Sequence, residues 1–134
     1  MRRSFKLAVL VALLAIPAVA TASSSRTLAI NCGRKEYKPR EIILTCADAG
    51  ILVDQLRWSS WNATKAVATG SYVENTCSPT CSAGHTVSRP VKVTLLGRGI
   101  CPGQPGHLFG LARLRFPEGA PPHAYQRFLF LCPP

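Results

Sequence analysis

The sequence predicts an all-β fold, a small disulfide-stapled β-sandwich preceded by a helical signal peptide. Three observations carry that prediction. Short runs of alternating polarity are separated by Gly, Pro and Asn breaks, six cysteines form an even set, and no segment beyond the N-terminal leader is long and periodic enough for a helix.

The leader comes first in the chain. Arg2, Arg3 and Lys6 make a charged start, and Leu7 through Ala20 then run without a charge. About fourteen apolar residues are too few to cross the hydrocarbon core of a bilayer, which takes roughly 20 in a helix, and Ala20-Thr21-Ala22 offers the small-x-small pattern of a signal-peptidase site. Cleavage is expected after Ala22, leaving residues 23–134 as a single secreted β-sandwich domain. A retained anchor is disfavoured because no second apolar run follows. Cys32 lies too far from the apolar run for a lipoprotein site. Arg2-Arg3-Ser4-Phe5-Lys6 partly resembles a twin-arginine export signal and also fits an ordinary positive n-region, which is the favoured reading.

In the mature chain, Arg40 to Ala47 sets Ile42, Leu44 and Cys46 on one face against Glu41, Ile43 and Thr45. Leu52, Leu56 and Trp58 share a parity that also includes Asp54, and this parity predicts an indole at Trp58 in the core with Trp61 more exposed. Ala66 to Val73 surrounds Gly70, which suits a bulge or a close backbone approach. Val91, Val93 and Leu95 oppose Lys92, Thr94 and Leu96 in a strand whose start Pro90 pushes to a sheet edge. Ala112, Leu114 and Phe116 then oppose Arg113 and Arg115, and Phe128, Phe130 and Cys132 oppose Arg127, Leu129 and Leu131. The segments 101–106 and 117–122, rich in Gly and Pro, read as rigid loops. Five to seven such strands favour a sandwich over an open sheet, which would leave an apolar face wet.

Cys32, Cys46, Cys77, Cys81, Cys101 and Cys132 all follow the expected cleavage site, so three disulfides formed in an oxidising compartment are the default. Six cysteines allow 15 connectivities; nearest-neighbour pairing (32 with 46, 77 with 81, 101 with 132) is the simplest of them. Cys77-Ser-Pro-Thr-Cys81 with His85 nearby also has a spacing used by zinc, but a second ligand pair of matching spacing is missing and export oxidises thiols. No metal or cofactor is expected.

Removing Arg2, Arg3 and Lys6 leaves thirteen Lys and Arg against six acids, a mature net charge of +7. Attraction to anionic surfaces follows, and it should fade as salt rises through roughly the physiological range. The basic residues are scattered along the chain, so charge alone does not select a partner. An anionic envelope polymer or polysaccharide is the expected class, with no specific nucleic acid and no stable membrane insertion after cleavage.

A resemblance rests on four stretches. Ile43-Leu44-Thr45-Cys46-Ala47-Asp48, Leu56-Arg57-Trp58-Ser59-Ser60-Trp61, Ala68-Thr69-Gly70-Ser71-Tyr72 and Cys77-Ser78-Pro79-Thr80-Cys81-Ser82-Ala83-Gly84 resemble a family of small secreted actinobacterial proteins with no assigned function. The match covers roughly residues 32–96. It implies an exported, disulfide-bonded domain and brings no catalytic residues with it.

Individual residues add little chemistry. Trp58 and Trp61 suggest a sugar-stacking pair, but positions three apart in a regular strand point to opposite faces, so Trp61 alone stands as a ligand contact. Asp48 and Asp54 suggest a carboxylate pair for glycoside cleavage, although Ala47-Asp48-Ala49-Gly50 has the composition of a turn. Ser59 and Ser60 lack a nucleophile-elbow setting. His85, His107 and His123 lie in Gly- or Pro-flanked loops without an evident partner, and Asn62-Ala63-Thr64 matches a glycosylation acceptor that reads as a loop. No catalytic residue is assigned. The expectation is a secreted, non-enzymatic interaction domain at the envelope or outside the cell; a carbohydrate-binding module and a small secreted hydrolase are the alternatives.

Overall fold

Val, Ile, Leu, Thr and aromatic residues in short alternating runs fold into eight strands and no helix among the described residues, which are 26–122 and 124–132 of this computed structural model. The signal peptide expected at 1–22, with its helix, lies outside the described residues, as does His123. The strands are β1 (Thr27–Asn31), β2 (Arg34–Glu36), β3 (Ile42–Ile43), β4 (Ile51–Trp61), β5 (Ala66–Asn75), β6 (Thr86–Gly99), β7 (His107–Arg115) and β8 (Arg127–Leu129). They form one sheet in the order β2-β1-β7-β6-β5-β4-β3, with β8 beside β7. β4 to β7 make an antiparallel meander, and β1 runs parallel to β7.

The sheet curls until its two ends meet, so its layers face each other across one core. Asn31 of β1 bridges to the far end with a single side-chain amide: its Oδ1 accepts from the Ile43 amide at 3.0 Å and its Nδ2 donates to the Glu41 carbonyl at 3.1 Å. These are the bonds a neighbouring backbone would otherwise supply. Thr27 makes a second bridge. Its hydroxyl donates to the Ala63 carbonyl at 2.6 Å, and its own carbonyl accepts from the Trp61 indole N–H at 2.9 Å.

The core holds Val91, Val93, Leu95, Ala112 and Leu114, the parities expected of β6 and β7. Phe116, Phe128 and Phe130 pack against it, while Leu129 and Leu131 are exposed, again as alternation predicts. Pro90 is tolerated because β6 before Lys92 is paired with β5 alone. β1 and β2 were not expected: at five and three residues they are too short to set up a periodic signal.

In β4 the expected core face holds at Leu56 and Trp58 and fails at Leu52. Val53, not Leu52, faces inward with Leu56 and Trp58. Gln55, at φ +52°, sits in a break of register between Asp54 and Arg57, so one extra residue reverses the parity. Gly70 of β5 lies opposite this bulge, and a Cβ there would stand 2.5 Å from the Asp54 carbonyl oxygen. The close approach expected at Gly70 is therefore present, with the bulge itself in the neighbouring strand.

The cysteines pair as nearest neighbours: Cys32–Cys46, Cys77–Cys81 and Cys101–Cys132. These bonds require oxidising conditions for their formation. Among the described residues, no helix is long and apolar enough to cross a membrane.

Tyr72 is fully buried and its hydroxyl donates to Glu74 Oε2 at 2.8 Å. Burial, and then the adjacent Glu74 carboxylate, raises its ionisation well above the ordinary value of 10.0. A raised folded-state value makes the neutral phenol's contribution fully present below pH 10 and lost as pH climbs from there through the folded value. Tyr72→Phe is accordingly expected to flatten the fall of stability above about pH 10, as read by denaturant unfolding at a series of alkaline pH values. An equally steep fall in the variant would show that other groups control the alkaline limb.

Candidate functional site

Trp58 and Trp61 do not divide into a buried and an exposed indole. Both are half-buried and pack against the core, with ring centroids 4.6 Å apart in an edge-to-face contact. A second break of register, between Trp58 and Ser60, cancels the opposite-face rule and brings residues three apart together. The Trp58 indole donates to the Pro39 carbonyl at 2.7 Å. Trp61 is enclosed by Tyr37, Trp58 and Phe109, and its N–H is committed to Thr27. Its geometry is that of a strut between the sheet ends, which corrects the expectation of a more exposed Trp61.

The other sequence candidates separate. Asp48 caps its own turn: Oδ1 accepts from the Gly50 amide at 3.0 Å, and this bond, aided by the Thr45 hydroxyl, holds the carboxyl below the usual carboxylate range. Asp54 stands in the middle of β4, off the core face, with Oδ1 buried and unpartnered. His85 is exposed, and His107 opens β7 with a buried, unpartnered Nδ1. Ser59 donates to the Val67 carbonyl across the β4–β5 pair, and Ser60 is exposed beside it. Asn62 organises the β4–β5 turn through its side-chain oxygen, which accepts from the Thr64 and Lys65 amides. Cys77 and Cys81 are bonded to each other, so their sulfurs are not available to zinc. Among the described residues, no group of three or more His, Cys, Asp or Glu side chains is placed to hold a metal ion.

What the fold does assemble is positive charge. Register aligns Arg57 of β4 with Thr69 of β5, Thr69 with Lys92 of β6, and Lys92 with Arg115 of β7. The adjacent row runs Val67, Thr94, Arg113 and Arg127 across β5 to β8. Arg57, Lys92, Arg113, Arg115 and Arg127 are exposed on the outer face, and neither row contains an acid. Neighbouring strands lie about 4.8 Å apart, so each row is a ladder of side chains with little separation between cations. Residues scattered through some seventy positions of sequence thereby become one basic surface.

Two adjoining clefts lie along the first row. One, of about 350 Å³, is lined by Arg57, Thr69, Ser71, Ser88 and Pro90 among others. The second, of about 640 Å³, shares Thr69 and Pro90 and extends to Lys92, Arg115, Phe116 and Pro117. The inward or outward parity of Lys92, Arg113, Arg115 and Arg127 was readable in sequence; their alignment was not, because it depends on strand register. No family model, curated protein or solved structure matches the chain.

Proposed function

We propose that the mature domain is a secreted, non-enzymatic binding domain that attaches to an anionic polymer of the cell envelope or its surroundings through the outer face of β4 to β8. The observation that carries this reading is the pair of acid-free rows holding Arg57, Lys92, Arg113, Arg115 and Arg127. Clustered cations with little burial attract polyanions at long range and lose that attraction as salt screens them. The Arg guanidinium also matches carboxylate and phosphate groups with two parallel hydrogen bonds. The resemblance to small secreted actinobacterial proteins and the three disulfides support a role outside the cytoplasm.

Retention on an immobilised polyanion tests the reading. Neutralising Lys92, Arg113 and Arg115 to Gln is expected to lower the eluting salt concentration substantially, whereas the same change at Arg34, Lys38 and Arg40 leaves it nearly unchanged. Equal losses in both variants would mean that net charge, rather than this face, does the binding.

A further inference from the structure

We infer that the row Arg57–Thr69–Lys92–Arg115 and its clefts form a track for an acidic polysaccharide, laid across the strands with its sugar rings seated in the clefts. This rests on the proposed binding face and specifies its ligand. The row spans three strand intervals, about 14 Å, so an extended oligosaccharide meets Arg57 at one end and the Lys92–Arg115 pair at the other. Only Thr69 lies between these cations in the row; the rest of the lining lies beside it, along the strands on the side where Asp54 pairs with Ser71. Thr69, Ser71 and Ser88 offer hydroxyls, and the Ser71 and Ser88 oxygens lie 2.6 Å apart in one polar pair. Pro90 and Pro117, both exposed, supply an apolar wall against which the C–H face of a sugar ring packs.

Charge, hydroxyls and an apolar wall gathered on one patch match a ring that bears a carboxylate, several hydroxyls and a C–H face. A bare polyanion uses only the first. Nucleic acid fits less well, because the one aromatic ring in the cleft lining, Phe116, is half-buried and packed edge to face on Tyr72 at 5.2 Å, leaving no open platform for stacked bases.

The test compares two probes on the mature, oxidised protein by titration calorimetry: a hexameric uronic acid oligosaccharide and a linear polyphosphate of matched charge. The uronate oligomer is expected to bind at least tenfold more tightly. Thr69→Val with Ser88→Ala, which alters no charge, is expected to remove most of that preference by weakening uronate binding; a thermal midpoint near that of the parent confirms that the variant is folded. Equal affinity for the two probes, or an unchanged uronate affinity in the variant, overturns the polysaccharide track while leaving the basic binding face standing. Tighter binding of single-stranded DNA of the same charge overturns it in favour of nucleic acid. Binding of none of these probes overturns the proposed function itself.

Discussion

Trp61→Ala is expected to destabilise the domain by about 3–5 kcal/mol, at least as much as Trp58→Ala. The indole packs against Tyr37, Trp58 and Phe109 with centroids 5.2, 4.6 and 5.5 Å away, and Phe109 is fully buried. Truncation opens a cavity among three rings and also removes the N–H that the Thr27 carbonyl accepts. That bond ties β1 to the end of β4, so its loss weakens the closure of the sheet as well as its filling. A small domain has a total stability of roughly 5–15 kcal/mol, so the variant should be close to unfolding under mild denaturant. Equilibrium unfolding of both tryptophan variants with disulfides intact measures the difference. A Trp61→Ala protein of near-parental stability that had lost polysaccharide binding would restore Trp61 to the role of ligand contact and refute its role as a strut.

Replacing Cys101 and Cys132 together by Ala is expected to cost about 4 kcal/mol in the chain-entropy model, against about 2 kcal/mol for the Cys77 and Cys81 pair. The first bond closes a separation of 31 residues and the second a separation of only 4. The larger loop contains β7 and β8, and Cys101 is itself buried beside Ile30 and Leu108. Without that link, three-residue β8 is held by its short pairing with β7 and by bonds such as Phe130 N–H to the Gly110 carbonyl. Hydrogen exchange should therefore quicken first at Phe130 and Leu114, whose amides bond across this junction. Equal destabilisation by the two replacements would show that loop length does not set the contribution of these bonds.

The binding face has a different origin from the core. Core positions in β6, β7 and β8 were legible because a strand alternates with a period of two, so Val91, Val93, Leu95, Ala112 and Leu114 declare their face locally. The cysteine pairing was likewise the simplest arrangement on the chain, and it is the one formed. β4 escaped the same reasoning because Gln55 and the irregularity after Trp58 each add a residue to one strand without altering its composition. Nothing in Leu52–Trp61 distinguishes a regular strand from a twice-bulged one. The basic rows escaped it for a related reason, since Arg57, Lys92, Arg115 and Arg127 are far apart in sequence and meet only through register.

The sequence by itself therefore determined the all-β class, the presence of three disulfides though not their pairing, the inward faces of the later strands and the strong positive charge. Tertiary structure alone decided that one sheet curls closed through Asn31 and Thr27, that Trp58 and Trp61 share a face, and that scattered cations form a ladder. The division has one physical cause. Alternation and loop chemistry are local properties of a few neighbouring residues, whereas register, bulges and closure are set by hydrogen bonds between segments tens of residues apart.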